Sequence, residues 1–470
     1  MRICYSKLTL LPMLFVAGIS SPSAAGAERM PVAAERVGEH RSVFTTPLEL
    51  AWENPALLHL RYSTSLTSVK AGALLTSEEG GGFFNADTYL KMSNATVTGY
   101  ARYENSRRRK GQLTETSDEE LVGPYLTSAD GDGSMRQEVY TFGGSYTAEL
   151  GRWRVGISGG YDAGLYYRTV DPRPRNVTGL LQLTPAAAFS ISQKYEVAVA
   201  LPLSKYKQTS SLSFVSELGQ NTIHHLTGLG NTYDRFEGQG KSGYYTGHSI
   251  GVSGGVMPKE SGAYLLAGYS CMSIDHILSD LNNLPLASTS TPVVKVSAGW
   301  KRGSWMAGVY GSRERRRGTE NIFGDPVSGQ YPKICGLTLY SRTRREIGVN
   351  GSYRHRNISA ALRAGWESEF EQHLSPYKER EVKRGVASLD LHGWLPLRKG
   401  GYLGLNLSGS GATRKVTPSG EVFHRCVAGG EMKGEALFPL GKGYMLGCAA
   451  GISRSLQAIN SGVVEIKFCF

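Results

Sequence analysis

Two short clusters in this chain hold side chains of the kind that do chemistry. His224 and His225 stand in a polar stretch with Asp234 and Glu237, imidazoles and carboxylates that suit a divalent cation. Metal ligands are normally fixed by a helical or Cys-x-x-Cys frame, and adjacent histidines in a loop have neither. Asp275 and His276, with Ser270 and Ser273 close by, offer an acid, a base and a hydroxyl of the sort a hydrolase uses. Asp beside His is a common pairing, and no Walker-type loop or His-Glu-x-x-His helix accompanies it. The expectation is a protein with no catalytic residue, no metal and no cofactor.

Ions that alternate with apolar residues are more abundant than either cluster. Arg152, Arg154 and Asp162 share one parity of a segment, and Arg342, Arg344 and Glu346 share another. Arg363 goes with Glu367, and Glu431 with Lys433 and Glu435. Parity matters because successive side chains of a strand point to opposite faces. Toward lipid an Arg or Lys would cost about 2–4 kcal/mol at the midplane, so these ions must line a lumen. There they either pair into a network that braces or closes the lumen, or they border a water-filled path for a polar solute. The sequence leaves both open.

The elements that must hold such ions are strands. Leu403, Leu405 and Leu407 alternate with Gly404, Asn406 and Ser408, and Val464, Ile466 and Phe468 alternate with Glu465, Lys467 and Cys469. From about residue 64 onward the chain is a series of such segments. Very short connectors at 92–94, 150–152, 192–194, 258–262, 301–303, 355–357, 397–401 and 439–443 take turns with longer ones, notably 107–134, 216–241, 275–290 and 318–333. Tight periplasmic turns and longer extracellular loops are the rhythm of a transmembrane β-barrel. Aromatic residues flank the short turns, among them Trp153, Tyr195, Tyr264, Trp300, Trp305, Tyr353, Trp394, Tyr402 and Tyr444, as an interfacial girdle requires. The fold expected is all-β: a transmembrane antiparallel β-barrel of about eighteen strands, or sixteen or fourteen if weak segments such as 83–91 are not strands.

Composition and targeting agree with this. Glycine is abundant at 59 residues and tyrosine at 25, while no apolar run after the N-terminus is long enough for a membrane helix. Arg2 and Lys7, an apolar run over 8–19 and Ala25-Gly26-Ala27 read as a secretory leader. The division expected is a signal peptide at 1–27, a periplasmic or lumen-inserted segment at 28–63 and a barrel at 64–470. Losing Arg2 and Lys7 takes the formal charge from +12 to +10. In an exported protein that balance suits a basic lumen or lipopolysaccharide and excludes nucleic acid as the expected partner. Arg107-Arg108-Arg109-Lys110 and Arg313-Glu314-Arg315-Arg316-Arg317 are read as solvated loop bases that touch lipopolysaccharide phosphates, or as a funnel for an anionic ligand. Cys271, Cys335, Cys426, Cys448 and Cys469 show no close spacing and read as small apolar fillers.

Two motifs carry a resemblance. The stretch from Tyr166 to Asn176, Tyr-Tyr-Arg-Thr-Val-Asp-Pro-Arg-Pro-Arg-Asn, together with Trp52-Glu53-Asn54-Pro55-Ala56-Leu57, resembles an uncharacterised outer-membrane barrel family of the Bacteroidota known only as a domain of unknown function. The resemblance implies a multi-pass place in the cell outer membrane and a TonB-dependent receptor or surface lipoprotein as neighbour. It implies no catalytic residue. Asn54-Pro55-Ala56 is also similar to a motif in the N-terminal segment of the long-chain fatty acid channel family, where that segment plugs the lumen. By that likeness residues 28–63, with Trp52, Asn54 and Pro55, would be a hatch. The closing Phe470 resembles the signal that hands such barrels to their insertion machinery. In the first motif Pro172 and Pro174 fix φ, so Asp171, Arg173, Arg175 and Asn176 are expected in a rigid extracellular loop with both arginines outward. The function expected is a channel, or an accessory of an uptake system, for a small solute. A non-transporting scaffold for partner proteins is the alternative, and an outer-membrane hydrolase stands third.

Overall fold

The computed structural model describes the chain from residue 65 to residue 469, apart from the connectors 77–78, 109–113, 130–133, 216–221, 356–357, 398–401, 419–422, 442–443 and 456–459. The expected leader and the segment 28–63, with Trp52, Asn54 and Pro55, lie outside the described residues.

Among the described residues the alternating segments pair antiparallel into one sheet of nineteen strands. Its first strand, Ser65–Thr76, pairs with its last, Asn460–Cys469, so the sheet closes and leaves no edge. Two of the nineteen, Tyr195–Ala200 and Leu203–Ser213, lie between the same two neighbours, Arg173–Ser190 and Ser242–Pro258. They are halves of one stave interrupted at Leu201 and Pro202, where proline has no N–H for the ladder. Among the described residues the wall is therefore a ring of eighteen staves.

On the staves whose side chains are described, one parity is apolar and exposed. Val309, Ile347, Val349, Leu362 and Trp366 stand on the outer face, while Tyr310, Glu346 and Arg363 take the other parity. Trp153, Trp300 and Trp305 stand exposed beside short turns, and the Trp305 ring packs on Tyr353 at 4.3 Å. A closed antiparallel ring with an apolar outer belt and interfacial aromatics is an outer-membrane β-barrel. No helix among the described residues is long and apolar enough to cross a membrane.

The wealth of tyrosine and glycine has a packing cause. Inward tyrosines lie flat across glycines of the neighbouring staves. A Cβ at Gly348 or Gly365 would stand 2.5 or 2.7 Å from the Tyr310 hydroxyl, and one at Gly299 would stand 2.6 Å from that of Tyr264. Glycine is the residue that lets a large ring rest on the wall instead of filling the lumen.

The short connectors fall where the alternation breaks. Two expected loops are shorter than the sequence suggested. Strands run through Leu278 and resume at Leu284, and run through Phe323 and resume at Lys333, so most of 275–290 and the first six residues of 318–333 are wall. Leu278, Leu284, Leu286 and Phe323 close around a single buried ring, Phe236, which explains why the staves continue above the membrane.

Outward Val309 and inward Ser312 test the parity. Val309→Arg should destabilise the refolded barrel in lipid vesicles by about 2–4 kcal/mol, whereas Ser312→Arg, opposite Glu346 in the ladder, should leave folding unchanged. Equal losses in a denaturant titration would refute the assignment of faces.

Candidate functional site

Two of the longer loops turn into the barrel. The first supplies a one-turn helix, Glu119–Val122, and a short strand, Leu126–Ala129. The second supplies Ile223–Gly228, Asn231–Thr232 and a turn of 3-10 helix, Asp234–Phe236. The strands join across the two loops, with Ile223 opposite Ala129 and Leu226 opposite Leu126, into a three-stranded sheet separate from the wall. Its hairpin turns at Gly228, Leu229 and Gly230, all with positive φ. A Cβ on Gly228 would also strike the Tyr340 ring at 2.7 Å, so glycine is needed there twice over.

This cap is seated by apolar contacts with inward side chains. Val122 is buried with Tyr206, Tyr245 and Ile274 of the wall, and Leu121 and Leu126 pack against them. Ile223 and Ala129 are buried with Leu212. Phe236, fully buried, fills the cluster described above. Burying side chains of this size contributes about 1.5–3 kcal/mol each.

Polar anchors then fix its position, and most reach for cap backbone. Arg316 donates to the carbonyls of Glu120 and Gly123 at 2.7 and 2.9 Å, and to Thr291. Tyr245 donates to Tyr125 O, Asn176 to Glu115 O, and Lys378 to the carbonyls of Leu229 and Gly230. In return Asn231 donates to Pro376 O. Arg168 and Glu115 form an ion pair at 2.7 Å with each side chain only 5% exposed. The anchors run from the Arg173–Ser190 stave to the Tyr377–Pro396 stave, half of the ring.

Beneath and beside the cap the inner face carries a ladder of ions. Arg342 binds Glu120 of the cap and Glu314 of the next stave, both at 3.0 Å. Arg344 meets Glu367 at 2.5 Å, with Arg384 at 3.7 Å from the same carboxylate, and Arg363 meets Glu346 at 2.5 Å. Arg380 bridges Glu369 and Glu371. Burial alone would raise the pKa of Glu120, but Arg342 foremost, then Arg316 and Arg344, hold it below the ordinary carboxylate range. Asp118, beside it in the cap, is pushed upward by burial and by Asp162, against the hydrogen bond it accepts from Tyr206 at 2.7 Å.

The structure thus brings Arg342, Arg344, Glu346, Arg363 and Glu367 together on two adjacent staves. Arg154 sits on the inner face paired with Glu196, and Asp162 shares its parity. Arg152 does not line the lumen. It lies in a tight turn, donates to the carbonyls of Ser190 and Ile191 and covers the Phe189 ring, because a turn residue follows the turn and not the strand parity. The side chains of Glu431, Lys433 and Glu435 are outside the described residues. Of the extracellular-loop set only Asp171 is in a loop. Arg173, Arg175 and Asn176 open a strand, Arg173 pairs locally with Asp171 at 2.6 Å, and Asn176 turns inward to the cap.

The chemistry clusters also find places. His224 meets Glu237 at 3.1 Å. His225 is buried between cap and wall with its Nε2 at 3.0 Å from Gln239 O, and burial lowers its pKa. Its ring faces His276, which stacks on Tyr245 at 4.2 Å. Two Gly-x-Ser-x-Gly strings, at 156–160 and 251–255, run through the middle of wall strands and not through a strand-to-helix elbow. The described residues contain no group of three or more His, Cys, Asp or Glu placed to hold a metal. The cap residues Glu115, Glu120 and Phe236 and the wall residue Arg380 were not singled out from the sequence, and Arg316 and Arg168 entered only as members of a basic run and of the Tyr166–Asn176 stretch, with no part in a cap.

A model of a family of unknown function, DUF6850, matches residues 55–427. Among curated proteins none matches. Solved structures with a similar fold include the ferric preacinetobactin receptor BauA of Acinetobacter baumannii, at 10% identity and TM-score 0.44, over 86% of this chain and 80% of that one. The outer membrane transporter YddB of Escherichia coli is similar at 7% identity and TM-score 0.42, over 87% of this chain and 81% of that one. The siderophore receptor PirA of Pseudomonas aeruginosa is similar at 9% identity and TM-score 0.39, over 87% and 80%.

The cap should respond to acid through Glu120. Its lowered pKa stabilises the cap fully above about pH 4.5, and that stabilisation is lost as pH falls through the lowered value. Asp118, raised, acts with the opposite sign. Hydrogen-exchange protection of amides 114–129, corrected for intrinsic rates, should therefore fall more between about pH 7 and pH 3.5 in wild type than in Glu120→Gln. Identical pH profiles would remove Glu120 from the account.

Proposed function

The chain belongs to DUF6850, a family of unknown function, and we propose that it is an outer-membrane channel for uptake of a small polar solute, with its mouth narrowed by the anchored cap. One observation carries this reading. Several ladder arginines are paired yet remain open on one side: Arg363 is 55% exposed, Arg380 39% and Arg344 38%, although Arg342, Glu367, Glu369 and Glu371 are 10% or less, against 5% for each partner of the Arg168–Glu115 pair that ties down the cap. Ions that only brace a wall are desolvated like that second pair. Ions left half in water border a wet path. Both signs occur in the ladder, which fits a hydrated solute with hydroxyls or with charges of either sign. Residues 28–63 would form a second constriction from below. A TonB-dependent receptor or a surface lipoprotein would be the partner that delivers the solute, and the insertion machinery would act earlier.

Conductance in planar bilayers tests the reading. Wild-type protein should conduct, and Phe236→Ala with Arg316→Ala should conduct more. Phe236→Ala removes about 3–5 kcal/mol of seating and Arg316→Ala leaves two carbonyls unpaired at about 1–3 kcal/mol each. Vesicle-swelling assays should show the same variant admitting larger neutral sugars. If only the cap variant or a protein lacking residues 28–63 conducts, the channel is gated. Silence from all three would overturn the proposal in favour of a non-transporting scaffold.

A further inference from the structure

The run from Arg313 to Arg317 lies in the stave Trp305–Phe323, and the stave sorts it by parity. Glu314 and Arg316 point inward and are used by Arg342 and the cap. Arg313, Arg315 and Arg317 point outward and are exposed, and on the next stave outward Arg345, also exposed, stands directly opposite Arg313. Residues two apart on a strand are separated by about 6.5–7 Å, and opposed residues by about 4.5–5.5 Å. Four guanidinium groups thus share one small patch.

Like charges directly opposite each other destabilise a sheet, so such a patch needs an anion. None of the four has a carboxylate partner among the described residues. The residues beside them on that face are Val294 and Ser290 on one flank and Ser368 and Phe370 on the other. The nearest acidic group on the outer face of that flank, Glu381, is paired with Lys383 at 2.8 Å. The height of the patch indicates the anion. One step below it on the same face come Ile347 and Trp366 of the apolar belt. Arg313 is eight residues above Trp305 of the lower aromatic girdle. At about 3.3 Å per residue and about 40° tilt that is roughly 20 Å, close to the height of the apolar band.

We propose that Arg313, Arg315, Arg317 and Arg345 form a site for the phosphates of an outer-leaflet glycolipid, the lipid A moiety of lipopolysaccharide. Guanidinium matches phosphate by paired, charge-assisted hydrogen bonds, and two phosphates on one sugar headgroup can span the patch as isolated anions cannot. The outer apolar belt below would receive the acyl chains. The site is independent of transport, since its side chains face away from the lumen.

The test uses the refolded full chain in detergent, titrated with bis-phosphorylated lipid A, dephosphorylated lipid A, phosphatidylglycerol and inorganic phosphate. Bis-phosphorylated lipid A should bind tightest, and the triple variant Arg313→Gln, Arg315→Gln, Arg345→Gln should bind it about tenfold or more weakly. Arg235→Gln, in the cap, should change nothing. Unaltered strand circular dichroism and heat-modifiable gel mobility establish that the triple variant is folded. If it fails to fold, the single variant Arg345→Gln is read in its place, with a smaller loss of the same sign expected. Retained affinity in the folded variant, equal binding of dephosphorylated lipid A, or equal binding of phosphatidylglycerol or free phosphate would each overturn the proposal.

Discussion

The structure depends on one constraint: a wall two-faced by geometry must keep charge off its lipid side. Period-two alternation and lipid outside leave the inner face as the place for ions at membrane depth. Once inside, an ion is costly unless paired, and removing one partner of a buried pair costs about 3–5 kcal/mol because the other is stranded. The ladder of Arg342, Arg344, Arg363 and Arg380 with Glu314, Glu346, Glu367, Glu369 and Glu371 meets that requirement on the wall itself. Arg316 and Arg168 do not find their main partners there. They are completed by Glu120 O, Gly123 O and Glu115, all of the cap. The cap is thus a condition for these residues to be where they are, as much as a cover over the lumen.

Strand parity and the tight turns were legible because both are local. Val309 against Tyr310, or Gly303 with its positive φ, need only a few neighbours to be recognised. The cap was not legible because its determinants are remote: Arg316 and Glu120 are 196 residues apart, and Lys378 and Leu229 149 apart. Polar loop composition reads as solvent-exposed, and loops 107–134 and 216–241 hold enough Thr, Glu and Gly to mask their core. A signal did exist. Leu121, Val122, Tyr125 and Leu126 in one loop, and Ile223, Leu226 and Phe236 in the other, are more apolar side chains than a solvated loop needs. The same masking turned His224, His225 and His276 into candidates for chemistry. His225 and His276 are the polar part of the seat, stacked between cap and wall beside Tyr245.

The run Arg313 to Arg317 shows why a charge cluster cannot be read without its element. As a loop base it would be one solvated patch with one partner. On a strand at the edge of the apolar belt it becomes two unrelated sites, one for lipid phosphate and one for the cap, interleaved residue by residue. Such interleaving is tolerable only if register is fixed, since a slip of one residue would drive Arg313 inward and Arg316 toward lipid.

What fixes it lies just above. Between Gly318 and Thr319 the ladder to the facing stave shifts, leaving Leu339 as an extra residue opposite them. Gly318 is also where the Tyr125 ring of the cap comes to rest against the wall, an approach that any Cβ would block. A bulge pins the pairing of the two staves and the cap occupies the space at the same point, so the cap's docking and the outer arginines' exposure are set by one local irregularity. A change at Gly318 or Leu339 would therefore act on both faces together, although neither residue carries a charge of either site.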